Sequence, residues 1–227
     1  DSFDFGVEWY FARESLLSIG LFYKKIDTFV TRTTSSVPFS SLGIDPALLV
    51  GTPSSVDDIY TVSRNINGEG GKLKGLEIQY QQPFFFLPGV LNNFGFIGNF
   101  TLIDSEVNYG TTAAPLLEQL TGLSKKAYNA TLYYEDKKFS ARISGAYRSN
   151  FLTRVPGQNN NDVEGKNATT NVDASISYKL NKNIDLTLEG TNLTIEPVDQ
   201  FISRQRNSVV VNHVTGREYY AGVRVRF

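Results

Sequence analysis

The final segment of the chain, residues 219–227, alternates between apolar and polar side chains and closes on a phenylalanine. Successive side chains of an extended strand point to opposite faces, so every second residue shares a face. The residues on the apolar face are Tyr219, Ala221, Val223, Val225 and Phe227. Arg224 and Arg226 lie on the other face. A strand with one wholly apolar side needs an apolar medium for that side, and antiparallel barrels that span membranes have this pattern.

Nine segments have strand character, and short and long connections alternate between them. They are residues 3–11, 16–32, 72–87, 94–107, 124–135, 139–152, 167–180, 184–195 and 208–227. Several exceed the usual strand length of about 5–6 residues. Apolar side chains at every second position indicate half-buried antiparallel strands, and tight turns alternating with long loops are typical of outer-membrane barrels. The sequence therefore predicts an all-β fold, a transmembrane antiparallel β-barrel.

The number nine has a consequence for the domain organisation. Bacterial single-chain barrels have even strand numbers, and an open sheet edge is not tolerated in lipid. We therefore expect residues 1–227 to form one C-terminal portion of a larger barrel, with the remaining strands elsewhere.

Composition excludes several classes of function. The net charge of −1 gives no broad attraction to nucleic acid, and the absence of cysteine removes disulfides and thiolate metal sites. His213 is the single histidine and has no nucleophile–base signature near it, so we expect no enzyme and no catalytic residue. We expect no cofactor and no metal site, although loop carboxylates such as Asp57 and Asp162 leave calcium binding open. The Gly-rich stretch at 68–71 is interpreted as a flexible loop.

A set of short segments recurs in a fixed order along nearly the whole chain. They are residues 70–80, 87–89, 93–101, 172–178, 188–194 and 216–220. In this order and spacing they resemble the C-terminal half of a TonB-dependent outer-membrane receptor. Residues 75–80 and 93–101 look most like the branch found in Caulobacter and Xanthomonas relatives, which is often linked to carbohydrate uptake.

The resemblance implies the last nine strands of a 22-stranded barrel in the outer membrane of a Gram-negative bacterium. It implies TonB-energised uptake of a scarce nutrient, an oligosaccharide or a ferric siderophore. The implied partners are the rest of the barrel, an N-terminal plug domain, the TonB complex acting through that plug, the barrel-assembly machinery, outer-membrane lipid and a surface lipoprotein, but no nucleic acid. Neither a plug nor a TonB-contacting segment is found among residues 1–227.

If the chain is a receptor, its ligand contacts should come from the outer loops and the upper lumen, because loops on a rigid scaffold carry recognition. Seven residues near predicted outer ends have suitable chemistry: Tyr109, Arg148, Asn150, Arg154, Gln158, Asn159 and Arg204. Arg224 and Arg226 are predicted to face the lumen, where they contact the plug or water. The apolar residues that end at Phe227 resemble the signal read by the assembly machinery.

Two other functions remain open from the residues. The same barrel with an open lumen would be a passive channel. A soluble all-β binding or adhesion domain would also give period-2 strands, with the apolar faces packed on each other.

Overall fold

A computed structural model describes residues 1–110, 114–159 and 161–226. These residues form strands and three short 3₁₀ helices, Phe39–Ser41, Pro46–Leu49 and Gly89–Asn93. The strands are β1 Ser2–Ala12, β2 Ser15–Pro38, β3 Ile59–Pro83, β4 Phe94–Asn108, β5 Leu117–Glu118, β6 Lys126–Glu135, β7 Phe139–Arg148, β8 Phe151–Arg154, β9 Glu164–Lys166, β10 Thr169–Lys179, β11 Ile184–Thr191, β12 Val198–Ile202, β13 Ser208–His213 and β14 Glu218–Val225. Across the described ranges, no helix has both the length and the apolar character needed to cross a membrane.

One large antiparallel sheet forms the body of the molecule. Its strands lie in the order β1-β2-β3-β4-β6-β7-β10-β11-β14, and β5 pairs additionally with β4. Each of the nine predicted segments contains one strand of this path, so the all-β antiparallel prediction is confirmed. The sheet is not closed within this chain, since β1 and β14 are its two edges.

The two faces of this sheet differ sharply in polarity. Leu186 on β11 lies opposite Tyr178 on one side and Val223 on the other, so one face is apolar across strands. The other face carries polar pairs, such as the Thr131 and Ser144 hydroxyls at 2.9 Å. The alternation predicted from the sequence is thus retained across neighbouring strands.

Among the described residues, the side chains of the apolar face remain largely exposed. Side chains such as Phe5, Ile176 and Val223 keep 55%, 43% and 66% of their surface exposed. A β-sandwich would bury such a face against a second sheet about 10 Å away. The single layer found here argues against the soluble alternative and leaves a face suited to acyl chains.

The loop predicted at 33–71 is wrong at both ends, because these residues belong to the hairpin of β2 and β3. The two strands pair from Leu16 with Gln81 out to Pro38 with Ile59, which leaves a connection of residues 39–58. Strands that continue into water carry polar side chains on both faces, so the alternation that marks a strand disappears. The Gly-rich stretch at 68–71 is likewise part of β3 and not a flexible loop, and a Cβ at Gly70 would overlap the carbonyl of Ile26.

The predicted final strand at 208–227 is also wrong in its first half. Residues 208–213 form β13, which belongs to a separate sheet, and only β14 continues the barrel wall. The chain turns between them at Gly216, whose φ of 80° favours glycine.

The separate sheet, which we call the loop sheet, consists of β8, β9, β12 and β13. It is formed by the connection between β7 and β10 and by the connection between β11 and β14. Its core is a cluster of four buried side chains, Leu152, Val155, Val163 and Phe201. Because all its connections leave the end of the barrel opposite the short turns, the loop sheet lies at the outer end.

Candidate functional site

A cavity of about 760 Å³ lies at the outer end, between the extended part of β2 and the link that follows β8. Strand β2 contributes Arg32 and Thr34. The link contributes Arg154, Val155, Pro156, Gly157, Gln158, Asn159 and Asn161. A volume of this size is typical of small-molecule sites, which range over about 300–1,000 Å³.

The link is held in shape by its own hydrogen bonds. The Gly157 amide donates to the Asp162 carbonyl at 3.1 Å, and the Gln158 amide donates to the Glu164 carboxylate at 2.7 Å. The Asn161 side chain donates to the Gln158 carbonyl at 2.8 Å. These hydrogen bonds position the described side chains of the link that line the cavity.

Asp162 fastens this link to the turn after β12. Its carboxylate accepts a hydrogen bond from the Arg204 amide at 3.2 Å. Desolvation alone would raise the pKa of Asp162, but hydrogen bonds from the amides of Arg204 and Val163 and from the Ser203 hydroxyl outweigh it. The pKa therefore lies below its ordinary value, and the carboxylate is charged at neutral pH.

Arg32 and Arg154 give the cavity its electrostatic character. Both side chains are exposed, and neither guanidinium has a hydrogen-bond or ion-pair partner within the described residues. The described lining contains no carboxylate. Guanidinium groups bind carboxylates, phosphates and similar oxygen anions with two parallel hydrogen bonds. The cavity can therefore attract and orient an anionic, oxygen-rich ligand.

Of the seven sequence-predicted ligand residues, Arg154, Gln158 and Asn159 meet in this cavity. Asn150 is exposed between β7 and β8 and is not among the lining residues. Sequence reasoning missed Arg32 and Thr34, because it placed the end of the strand at residue 32. The β-branched residues from Thr31 to Val37 are the signal that could have extended β2.

Arg148 lies away from the cavity and is committed to the scaffold. Its Nε donates to the Ser124 hydroxyl at 2.6 Å, and its Nη2 donates to the Gly122 carbonyl. Its guanidinium also lies 3.8 Å from the ring centre of Phe151. These contacts fasten the end of β7 to the neighbouring outer loop.

Tyr109 and Arg204 also support the outer loops. The Tyr109 hydroxyl accepts from the Thr121 amide at 2.8 Å, and its ring packs edge-on against Phe29 at 5.4 Å. The Arg204 guanidinium forms an ion pair with Glu118, whose side chain is 15% exposed. Both side chains therefore already have partners, and neither lines the cavity.

At the other end of the barrel, Arg224 lies on the polar side of β14, and Arg226 directly follows this strand. Arg224 is opposite Asp185 on β11, and the Arg226 guanidinium forms an ion pair with the carboxylate of the same Asp185. Asp185 is buried, and its Oδ1 has no hydrogen-bond partner. The two arginines thus lie on the side of the sheet opposite the apolar residues of β14; that this side faces the lumen, and that it contacts a plug, stay predictions.

The apolar side of β14 carries Tyr219, Ala221, Val223 and Val225, opposite Gly190, Leu188, Leu186 and Ile184 of β11. Phe227 lies outside the described residues. The assembly signal predicted for this segment stays a prediction.

Of the loop carboxylates at 57 and 58, that of Asp58 has partners in the protein. Asp58 accepts hydrogen bonds from the Ser55 amide and hydroxyl at 2.9 and 3.0 Å. Throughout the part of the chain that the structure describes, no three His, Cys, Asp or Glu side chains come together as metal ligands would.

Comparison with known proteins identifies the sheet. A family model described as "TonB dependent receptor-like, beta-barrel" matches residues 1–193. The siderophore receptor PirA from Acinetobacter baumannii superimposes with a TM-score of 0.63 at 13% identity, over 100% of this chain and 31% of that one. A variant of the ferric enterobactin receptor PfeA from Pseudomonas aeruginosa gives a TM-score of 0.65 at 14% identity, again over 100% and 31%. None of the curated proteins matches the chain.

Proposed function

Since the chain belongs to the TonB-dependent receptor β-barrel family, we propose that it forms the C-terminal wall of an outer-membrane receptor for an anionic, oxygen-rich nutrient of the ferric siderophore class. The family consists of receptors and transporters rather than enzymes, and it implies a plug domain and interaction with TonB. The chain spans about a third of the length of the receptors it superimposes on.

The cavity with Arg32 and Arg154 carries this proposal. Two guanidinium groups without a partner among the described residues, in a lining without a described carboxylate, favour a ligand that bears several negative charges. The described lining also has no aromatic side chain on which a sugar ring would stack. Ferric siderophores fit this chemistry better than neutral oligosaccharides, and the two superimposed receptors bear siderophore names.

The remaining steps of uptake belong to the whole receptor. A plug that fills the lumen would make transport depend on TonB, whereas an empty lumen would give a passive channel. Uptake of the ligand in cells with and without a functional TonB complex separates the two: transport that persists without TonB would favour the channel.

The cavity can be tested by binding measurements on the full-length receptor. We expect Arg32→Gln and Arg154→Gln each to weaken binding of ferric enterobactin, used as a trianionic probe, by about 10–100-fold, the range for losing one charge-assisted hydrogen bond. Arg13→Gln is the matched control, since Arg13 lies in the short turn at the opposite end and its side chain is 82% exposed.

Maltotriose provides the second arm, because it is a neutral oligosaccharide. Maltotriose binding that exceeds binding of the ferric probe, together with unchanged affinity in both arginine variants, would overturn the assigned ligand class. It would leave membership of the receptor family untouched.

A further inference from the structure

The lipid-facing side of the barrel wall changes abruptly in polarity near its outer end. Three successive rows of side chains cross strands β2, β3 and β4 on this side. They are Leu21, Leu76 and Leu102; then Tyr23, Lys74 and Asp104; then Lys25, Lys72 and Glu106. Each row lies about 7 Å above the one before, since two residues separate them on each strand. The face therefore passes from apolar to charged within one row.

Two cavities meet at this boundary. The lower one, about 360 Å³, is lined by apolar side chains that include Phe3, Leu21, Leu76 and Leu102. The upper one, about 460 Å³, is lined by lysines and carboxylates and by strand β5. Both cavities include Tyr23, Lys74 and Asp104. We call this pair of connected cavities the rim site.

The charged part of the rim site has spare positive charge. Asp104 lies 3.9 Å from the ammonium groups of both Lys74 and Lys125, so one carboxylate serves two lysines. Lys72 lies 3.2 Å from Glu106. All three lysine side chains are more than half exposed, and exposed ion pairs of this kind contribute little. A phosphate group can therefore take over these lysines at small cost.

Two more lysines extend the positive field around the rim site. Lys25 is paired in register with Lys72, and Lys126 is paired with Leu102. Glu118 also lines the upper cavity, but its carboxylate is already bound by Arg204. Asp1 and Asp27 also lie beside Lys25. The five lysines around the rim site therefore outnumber by one the carboxylates that no other described residue binds.

We propose that the rim site binds a phosphate-bearing lipid of the outer leaflet, with one acyl chain in the lower cavity and a phosphate held by Lys72, Lys74 and Lys125. The lower cavity opens onto the lipid-facing band, where an acyl chain of the membrane would lie. The lysines stand where that band ends, which is the height of the headgroups. A soluble anion would use the lysines but would leave the apolar cavity empty.

The proposal uses only the orientation of the strands in the membrane, and it is independent of the ligand assigned to the Arg32 cavity. The test is made on the full-length receptor purified in detergent. Lys72→Gln/Lys74→Gln/Lys125→Gln is compared with wild type by native mass spectrometry and by thermal unfolding, with diphosphorylated lipid A as the probe. The variant should fold, because the three ammonium groups are exposed.

We expect the triple variant to bind lipid A about a hundredfold more weakly than wild type, since several basic groups act together at an anionic lipid surface. Lys137→Gln/Lys138→Gln/Lys182→Gln removes the same charge from the short turns and should bind as wild type does. Binding of the ferric probe should be unchanged in both.

Two further probes identify the part of the lipid that is recognised. Dephosphorylated lipid A should lose most of the affinity, and inorganic phosphate alone should neither bind measurably nor displace the lipid. Equal lipid A binding by wild type and the triple variant would overturn the proposal. So would displacement by inorganic phosphate, which would mark the site as one for a free anion.

Discussion

Replacing Phe201 by alanine should open the loop sheet while leaving the barrel wall intact. Phe201 is 5% exposed and is the largest of the four side chains in the loop-sheet core. Its ring lies directly over Gly165 of β9, where even a Cβ would overlap it. Removing a buried phenylalanine ring costs about 3–5 kcal/mol. We take about 3 kcal/mol here, because this core lies near the surface.

A loss of that size is a large share of what so small a core can contribute. Four buried side chains contribute about 1.5–3 kcal/mol each before the cost of ordering the loops is subtracted. The local opening equilibrium should therefore rise about a hundredfold. The wall strands have hydrogen-bonded neighbours and a lipid-facing side that do not depend on Phe201, so their opening should not change.

Hydrogen exchange followed by mass spectrometry on the full-length receptor measures both effects. Peptides from residues 151–166 and 198–213 should exchange about a hundredfold faster in Phe201→Ala, and peptides from β10 and β11 should exchange as in wild type. Phe86→Ala is the matched control, since Phe86 is 66% exposed in the β3–β4 connection. Unchanged exchange in the loop sheet would refute the reasoning, as would equal acceleration in β10 and β11.

Two other perturbations follow from charged groups. The pKa of Asp162 is lowered in the folded protein, so the stabilisation that its carboxylate gives is present above the ordinary value of about 4 and is lost as pH falls below it. Protease cleavage within residues 155–163 should therefore increase toward pH 3. The Asp162→Asn variant should be cleaved readily at all pH values. Arg226→Gln leaves the Asp185 carboxylate buried without its guanidinium and should destabilise the wall by about 2 kcal/mol, less than for a fully buried pair because Arg226 is half exposed. This loss of stability would appear as a lower temperature of heat modification on a gel. Adding Asp185→Asn to Arg226→Gln should restore the stability. Equal effects of Arg224→Glu and Arg226→Gln would instead favour plug contact as the common cause.

The sequence was sufficient to predict the strands within the membrane, because there each strand separates lipid from a wet lumen. Tyr178, Leu186 and Val223 each occupy one of the alternating apolar positions of their own strand. In the sheet the three residues lie side by side in one row. Outside the membrane the contrast vanishes. The outer halves of β2 and β3 extend beyond the apolar band, and the Thr and Ser residues between 31 and 36 gave no period-2 signal.

The candidate site was less accessible to sequence reasoning than the wall. Arg154, Gln158 and Asn159 are near one another in the chain, and their polar chemistry marked them. Arg32 reaches the same cavity only through the extended hairpin. Nothing in the local sequence around Arg148 or Arg204 distinguishes these arginines from ligand-binding residues. Their guanidinium groups bind Ser124 and Glu118, which are distant from them in sequence.

The unequal support of the two arginines in the cavity affects how a ligand could enter. Arg32 stands on a strand of 24 residues, about 80 Å long, that is paired along its length with β3 and is continuous with the membrane wall. Arg154 stands on the loop sheet, which four buried side chains hold together. One side of the cavity is therefore part of a long paired hairpin, and the other side is part of a small sheet with a small core. Ligand entry and release should depend mainly on movement of the loop sheet. Substitutions in the loop-sheet core beneath Arg154 should therefore alter the ligand's dissociation rate more than equivalent substitutions in β2 and β3 beneath Arg32.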